Sequence, residues 1–305
     1  MKSSPYFKQA QLMLRVIPHV TAETCFALKG GTAINLFLRQ MPRLSVDIDL
    51  TYLPLEPRDT ALQNIDTALE RIAASIRTTM PDTTVQGSRA RGATHIAKLF
   101  IRTAESTIKI EPNQVLRGAV FPTQEHELSQ AAESLFELSV TARTLSVADL
   151  YGGKLCAALD RQHPRDLFDV KILLEDQGIT HDIRQAFVIY LASHARPMHE
   201  LLNPRRKDFR QIYDNEFVSM VTHPVAYDDL IETREQMIHT LQHTLTDQEK
   251  KFLLSLKKGQ PEWSLMAIDS IETLPAMQWK LMNIQKMDTH KRAEALEKLQ
   301  TVLGI

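Results

Sequence analysis

Cysteine is scarce in this chain: two residues in 305, Cys25 and Cys156. They stand too far apart for a metal-ligand spacing, and such sparing use fits a reducing compartment rather than a disulfide-stapled secreted domain. No apolar run approaches the roughly 20 residues of a membrane-spanning helix. Residues 1–15 lack the apolar segment of a signal peptide. Neither sign of charge is in excess, since 36 Lys and Arg offset 37 Asp and Glu to a formal net charge of −1. That balance gives no global signature of a nucleic-acid binder, so any such surface has to be a local patch. Internal repeats and low-complexity segments are missing too. The histidines, His163, His181 and His194 among them, lack the pairing of a Zn²⁺ site. What remains is an ordinary globular composition, 43% hydrophobic and 24% charged, in a chain long enough for two domains. The expectation is a cytoplasmic protein without a membrane segment.

The most informative stretch runs from Phe26 to Thr51. Phe26-Ala27-Leu28 reads as a short strand, and Lys29-Gly30-Gly31-Thr32 as a turn. Ala33 to Arg39 reads as a helix that Pro42 stops. Val46 to Leu50 then alternates apolar and acidic residues, the period of a strand with Asp47 and Asp49 on one face. Two carboxylates so placed repel each other unless a cation sits between them, and the hard ion Mg²⁺ suits carboxylate and phosphate oxygens. Exposed N–H groups at the glycine turn suit a phosphate. Arg43 and Ser45, just ahead of the acidic pair, either contact phosphate or end the loop. Phosphate cradle plus carboxylate pair is the minimum for metal-assisted transfer from a nucleoside triphosphate.

The rest of the chain supplies candidates around this unit. A helix is expected within residues 5–24, and another over 59–77 with Asp59 as its N-cap. Pro81 to Gly92 reads as turn-rich, with Arg89 and Arg91. Ile96 to Arg102 and Ser106 to Glu111 read as two strands joined by a tight turn. In the second, Lys109 and Glu111 share the polar face, so Glu111 becomes a third carboxylate if this strand lies beside the Asp47–Asp49 strand. Pro112 is expected to end the pairing. Residues 113–145 read as irregular. Ser146 is the expected N-cap of the next helix, with Asp149 as capping-box partner. On that helix Tyr151, Lys154, Ala158 and Arg161 share a face, and with Arg165 they suggest a positive surface for a triphosphate. Asp166 and Asp169 lie at the start of the following helix, where an N-cap and a first-turn role compete with a functional one. Gly178 closes that helix, and the domains are expected at 1–178 and 179–305. Beyond it the pattern is helical, with helices near 228–243, 246–258, 264–282 and 288–303. The basic run Arg205 to Arg210 is either a solvated face or a groove for RNA.

Four ordered blocks, F-A-L-K-G-G-T-A-I-N-L, R-L-S-V-D-I-D-L, I-K-I-E-P-N and D-L-Y-G-G-K-L-C-A-A-L-D-R-Q-H-P-R-D-L-F-D-V, resemble the nucleotidyltransferase AbiEii/AbiGii toxin family of toxin–antitoxin and abortive-infection systems. The match covers about residues 20–176. It implies an α+β fold, a DNA-polymerase-β-like core with a small mixed sheet flanked by helices, followed by a mostly helical domain. It implies a Mg²⁺-dependent enzyme that moves nucleotides from a nucleoside triphosphate to RNA, the tRNA acceptor end, and so stops translation, with an antitoxin protein as partner. Asp47 and Asp49 match the metal-binding pair, and Glu111 joins them as third ligand on the strand alternation described above. Gly30, Gly31 and Thr32 match the glycine–hydroxyl turn that holds triphosphate, while Lys29, Arg43, Ser45 and Arg161 are nucleotide-binding candidates on the reading of the residues alone. Thr32 stands where the wider superfamily usually has Ser, and the interval to Asp47 is longer. Lys154 matches the essential lysine, placed on a phosphate. Asp169 matches the late aspartate, with Asp166 as the competing candidate. Two rival functions remain: nucleotide transfer to a protein hydroxyl, which uses the same site, and a non-catalytic regulatory subunit, which the intact Asp47, Asp49 and Lys154 disfavour.

Overall fold

A computed structural model describes residues 2–89 and 94–305 of the chain. It divides into two compact units, Met1–Ser146 with Asn215–Pro224, and Val147–Asp214 with Val225–Ile305. The boundary expected at residue 178 falls inside the second of these units. The helices Val147–Arg161 (α5) and Pro164–Asp176 (α6) pack with the helix His181–Ser193 (α7) and its successors, which groups them with the second unit.

In the first unit, seven strands among the described residues form one mixed sheet in the order β3-β4-β5-β2-β1-β7-β6. They are β1 (Phe26–Lys29), β2 (Ile48–Tyr52), β3 (Thr84–Arg89), β4 (Ile96–Arg102), β5 (Thr107–Asn113), β6 (Gln124–Glu127) and β7 (Thr141–Thr144). Strand β2 runs antiparallel to β1 and parallel to β5, and β5 runs antiparallel to β4. Alternation sets the two faces of the sheet. Ile48 and Leu50 on β2, Leu99 and Ile101 on β4, and Ile108 and Ile110 on β5 are buried. Helices α1 (Phe7–Thr21) and α3 (Arg58–Thr79) pack on the sheet. Leu12, Leu14, Ile17 and Val20 of α1, and Ile65, Leu69, Ile72 and Ile76 of α3, are buried, with Leu62 of α3 half-buried. Each such side chain contributes about 1.5–3 kcal/mol when fully buried.

Several elements differ from expectation. Asp59 lies in the first turn of α3, and Pro57 takes the N-cap position. The turn-rich segment contains the edge strand β3, whose polar composition carries no period-two signal; Arg91 lies outside the described residues. Strand β5 continues through Pro112 to Asn113, because its pairing with β4 has ended at Ile110 while the pairing with β2 goes on; a proline carbonyl still accepts hydrogen bonds. Residues 113–145 include β6, helix α4 (Gln130–Phe136) and β7. The segment Asn215–Pro224 joins the first unit because Leu44 N–H donates to the Met220 carbonyl at 2.8 Å and Thr222 N–H to the Pro42 carbonyl at 3.0 Å.

The second unit is helical. After α7 come α8 (Met198–Leu202), α9 (Arg210–Ile212), α10 (Tyr227–Thr244), α11 (Asp247–Lys258), α12 (Pro275–Gln285) and α13 (Thr289–Leu303). Helices α5 and α7 approach so closely at Gly152 that a Cβ there would lie 2.7 Å from the Phe187 backbone nitrogen. The helix expected over 264–282 is instead two 3₁₀ turns and α12, which starts at Pro275, a residue suited to a first helical position and hostile to helix before it. The Lys280 ammonium closes the C-terminal end of α7 by donating to the carbonyls of His194 and Arg196 at 2.6 and 3.0 Å. Burial draws its pKa down to about 8. Among the described residues no helix is long and apolar enough to cross a membrane.

Candidate active site

The first unit gathers a charged row across its sheet. Lys29 at the end of β1 stands directly opposite Asp49 on β2, and Asp49 stands in register with Glu111 on β5. In-register neighbours share a face of the sheet. Lys98, on β4, reaches Glu111 at 3.4 Å. Asp47 lies one residue ahead of β2, not inside it as expected. Its carboxylate still meets this face, because the Lys109 ammonium lies 3.8 Å from Asp47 Oδ2 and 3.2 Å from Glu111 Oε2. Burial alone would lower the Lys109 pKa, but Asp47 and Glu111, helped by Asp49, raise it. Burial would raise that of Glu111, but Lys109 and Lys98 hold it below the usual carboxylate value. Lys98 and Lys109 were absent from the candidate residues. The alternation in T-I-K-I-E-P did put Lys109 beside Glu111, and that was the signal available.

The glycine turn borders this row. Gly30 has φ +70, and a Cβ on it would lie 2.9 Å from Asp49 Oδ2. A side chain there meets both left-handed strain and the carboxylate. Gly30→Ala is expected to cost about 1–2 kcal/mol and to lower nucleotide transfer, checked by thermal denaturation and by transfer assay of the same preparation. The turn continues as Gly30–Thr32 (α2) into a π-helix, Ala33–Leu38, where an α-helix was expected. A Cβ on Gly31 would lie 2.6 Å from Arg43 Nη2 and 3.2 Å from Ser45 Oγ. Arg43, Ser45 and Thr32 are all buried. The Thr32 hydroxyl lies 2.5 Å from the Asp47 carbonyl oxygen and 2.9 Å from Ser45 Oγ. These three side chains brace the turn and the approach to β2 from inside. Of the two roles the sequence leaves open to Arg43 and Ser45, phosphate contact would require buried groups to turn outward, whereas bracing the loop uses them where they lie.

A divalent cation fits the donor set of the first unit. Asp47, Asp49 and Glu111 offer carboxylate oxygens, the ligands a hard cation takes, and they already draw the Lys109 ammonium in between Asp47 and Glu111. Among the described residues no group of three His, Cys, Asp or Glu is gathered closely enough to hold a metal ion as it stands, and Lys109 occupies the space between Asp47 and Glu111.

The second unit brings Lys154, Arg161, Asp166 and Asp169 together. Lys154 Nζ lies 2.9 Å from Asp166 Oδ1 and 2.9 Å from Asp169 Oδ2, and its side chain is only 6% exposed. Arg161 Nη2 donates to Asp166 Oδ1 at 3.0 Å and lies 2.8 Å from Oδ2. Burial pushes Asp166 toward protonation, but Lys154 and Arg161 hold it below the ordinary range. The expected positive surface is therefore largely inside the fold: Tyr151 and Ala158 are buried, and two acids offset Lys154. Arg161, 61% exposed, is its outward member. The N-cap of α6 is His163, whose Nδ1 accepts from Arg165 N–H, so Asp166 is left to face Lys154. Asp149, expected as a capping partner, is buried and accepts from the Tyr190 hydroxyl at 2.7 Å.

None of the curated proteins compared with the chain matches it. Among solved structures the chain is similar to MenT4, a nucleotidyltransferase toxin from Mycobacterium tuberculosis H37Rv. The two share 16% identity at a TM-score of 0.57, with 96% of this chain and 92% of that one covered. A likeness at that identity speaks for the fold. The model of the family described as nucleotidyl transferase AbiEii toxin, type IV TA system, matches residues 11–283. That span takes in both the carboxylate row and the Lys154 cluster, and the chain belongs to this family of toxin–antitoxin nucleotidyltransferases.

Proposed function

We propose that the protein transfers nucleotides from a nucleoside triphosphate to RNA, at the acceptor end of tRNA, in a Mg²⁺-dependent reaction that blocks translation. The observation that most supports this reading is the in-register placement of Asp49 and Glu111 beside Gly30, with Asp47 reaching the same face. Asp47, Asp49 and Glu111 would hold the metal. When bound there, a divalent cation lowers the pKa of an attacking hydroxyl and offsets charge on the phosphates. The chain's own groups do the rest. Gly30 and Gly31 let a polyphosphate approach the backbone of the turn, where the first N–H groups of a helix have no intrahelical partner. Lys29 and Lys98 flank the carboxylate row and stabilise negative charge that grows in the transition state. In the second unit Asp166 and Asp169 hold Lys154 at 2.9 Å each, and Arg161 is the exposed cation of that cluster. The family implies an antitoxin as partner.

The test incubates the purified protein with each α-phosphate-labelled nucleoside triphosphate and total RNA, then with a protein lysate. Label should enter RNA in the tRNA size range, and a chelator should stop it. Label confined to protein bands would overturn RNA as acceptor and point to a hydroxyl side chain.

A further inference from the structure

The basic run Arg205 to Arg210 is a built surface in the second unit. Gln162, which follows α5, is buried and has φ +53. Its amide is used on both sides: Nε2 donates to the Arg205 carbonyl at 2.8 Å, and Oε1 accepts from Lys207 N–H at 2.9 Å and from Arg234 Nη1 at 3.1 Å. Arg234 Nη1 also donates to the Lys207 carbonyl at 2.8 Å. The backbone at 205–207 is thus fastened to the end of the helix that carries Lys154 and Arg161. A non-glycine residue in left-handed backbone whose buried amide is bonded through both Nε2 and Oε1 holds one conformation at some energetic cost.

That anchor presents a defined set of side chains. Arg205 and Lys207 are exposed. Lys207 Nζ donates to the Asp160 carbonyl at 2.8 Å, and neither residue has a carboxylate partner among the described residues. Arg206, by contrast, is spent on Glu235 at 2.7 Å. Next to them the Arg210 guanidinium lies over Tyr227, 4.9 Å from the ring centroid, and over Tyr213 at 5.8 Å. Arg210 remains 59% exposed, and its ion pair with Asp214 is a solvent-exposed pair within one helical turn, which holds it only weakly. The rings of Phe209, Tyr213 and Tyr227 pack in series.

We propose that this strip grips an unpaired stretch of acceptor RNA, with Arg205 and Lys207 on phosphates and an Arg210–Tyr213 platform under a base. The proposal rests on RNA being the acceptor. Uncompensated cations on a fixed backbone suit phosphates. An exposed planar guanidinium beside half-buried phenol rings, with Tyr213 fixed through its hydroxyl on the Val225 carbonyl at 2.7 Å, suits a base face, the recognition mode of single-stranded RNA. In a chain of net charge −1 such a strip is the kind of local patch nucleic-acid binding requires.

The test is fluorescence anisotropy of the full-length protein with a labelled single-stranded oligoribonucleotide, titrated at salt concentrations from about 50 to about 200 mM. Arg205→Ala with Lys207→Ala should weaken binding and reduce the slope of log affinity against log salt by about 1.4, close to 0.7 per phosphate contact. Tyr213→Leu should lose about fivefold or more in affinity with the slope unchanged, while Tyr213→Phe should bind like the wild type. An Arg205→Ala/Lys207→Ala variant with wild-type affinity and slope would overturn the strip; if it also labels RNA at the wild-type rate, RNA as acceptor stands. Wild-type protein that neither binds nor labels RNA would overturn both. Loss of protein labelling in that variant, with RNA binding intact, would assign the strip to a protein acceptor and overturn the proposal.

Discussion

Asp49→Asn is expected to lower nucleotide transfer by about 10³-fold or more while leaving the thermal unfolding midpoint nearly unchanged. The amide has almost the shape of the carboxylate, so the contact with Gly30 survives and one full charge disappears. Asp49 is half-exposed and in register with Glu111, so little buried structure depends on its charge. Asp47→Ala should behave alike, since Asp47 and Lys109 are each about one-third exposed, and pairs so wetted contribute little to stability. The measurement is transfer of labelled nucleotide to RNA beside a melting curve from the same preparation. A variant that melts normally and still labels RNA at the wild-type rate would remove the carboxylate row from the mechanism.

Lys154→Met should act mainly on stability. It removes the cation that two buried carboxylates face at 2.9 Å each, and breaking a buried ion pair from one side costs about 3–5 kcal/mol. Adding Asp166→Asn and Asp169→Asn to the same chain should restore much of the loss, because the buried charges go with their partner. The pH dependence follows in sign. Asp166 is held below the ordinary carboxylate value in the folded chain, so it contributes stability above its unfolded pKa and loses it as pH falls through its folded one. Without Lys154 the burial penalty dominates, and acid unfolding should begin at higher pH. Denaturant titrations at neutral and acid pH check both points. A Lys154→Met chain as stable as the parent would show that the two acids need no cation.

Local chemistry made much of this legible in the sequence. The strand–turn–helix start at Phe26 to Thr32, the hairpin of β4 and β5, and the shared helix face of Lys154 and Arg161 all rest on short-range patterns: alternation, glycine at a turn, helical spacing. Burial was the part not legible. Arg43 is buried beside the segment Asn215–Pro224, which comes back to pair with it, and no local signal announces that return. The strands β3 and β6 escaped for another reason: as sheet edges, they have polar sequences, T-V-Q-G-S-R and Q-E-H-E, that show no apolar alternation. The N-cap of α6 went to His163 instead of Asp166 because an imidazole nitrogen can accept a backbone N–H as a carboxylate does.

The parallel pairing of β2 with β5 also bears on how the toxin comes into being at the ribosome. Strands that run the same way cannot be neighbours along the chain, and here α3 and the β3–β4 hairpin are made before β5 emerges. A nascent chain that has exposed Asp47 and Asp49 still lacks Glu111 and Lys109, and long-range pairing of this kind forms slowly. The carboxylate row is therefore a late product of synthesis, and fragments released before β5 carry two of its acids without the third.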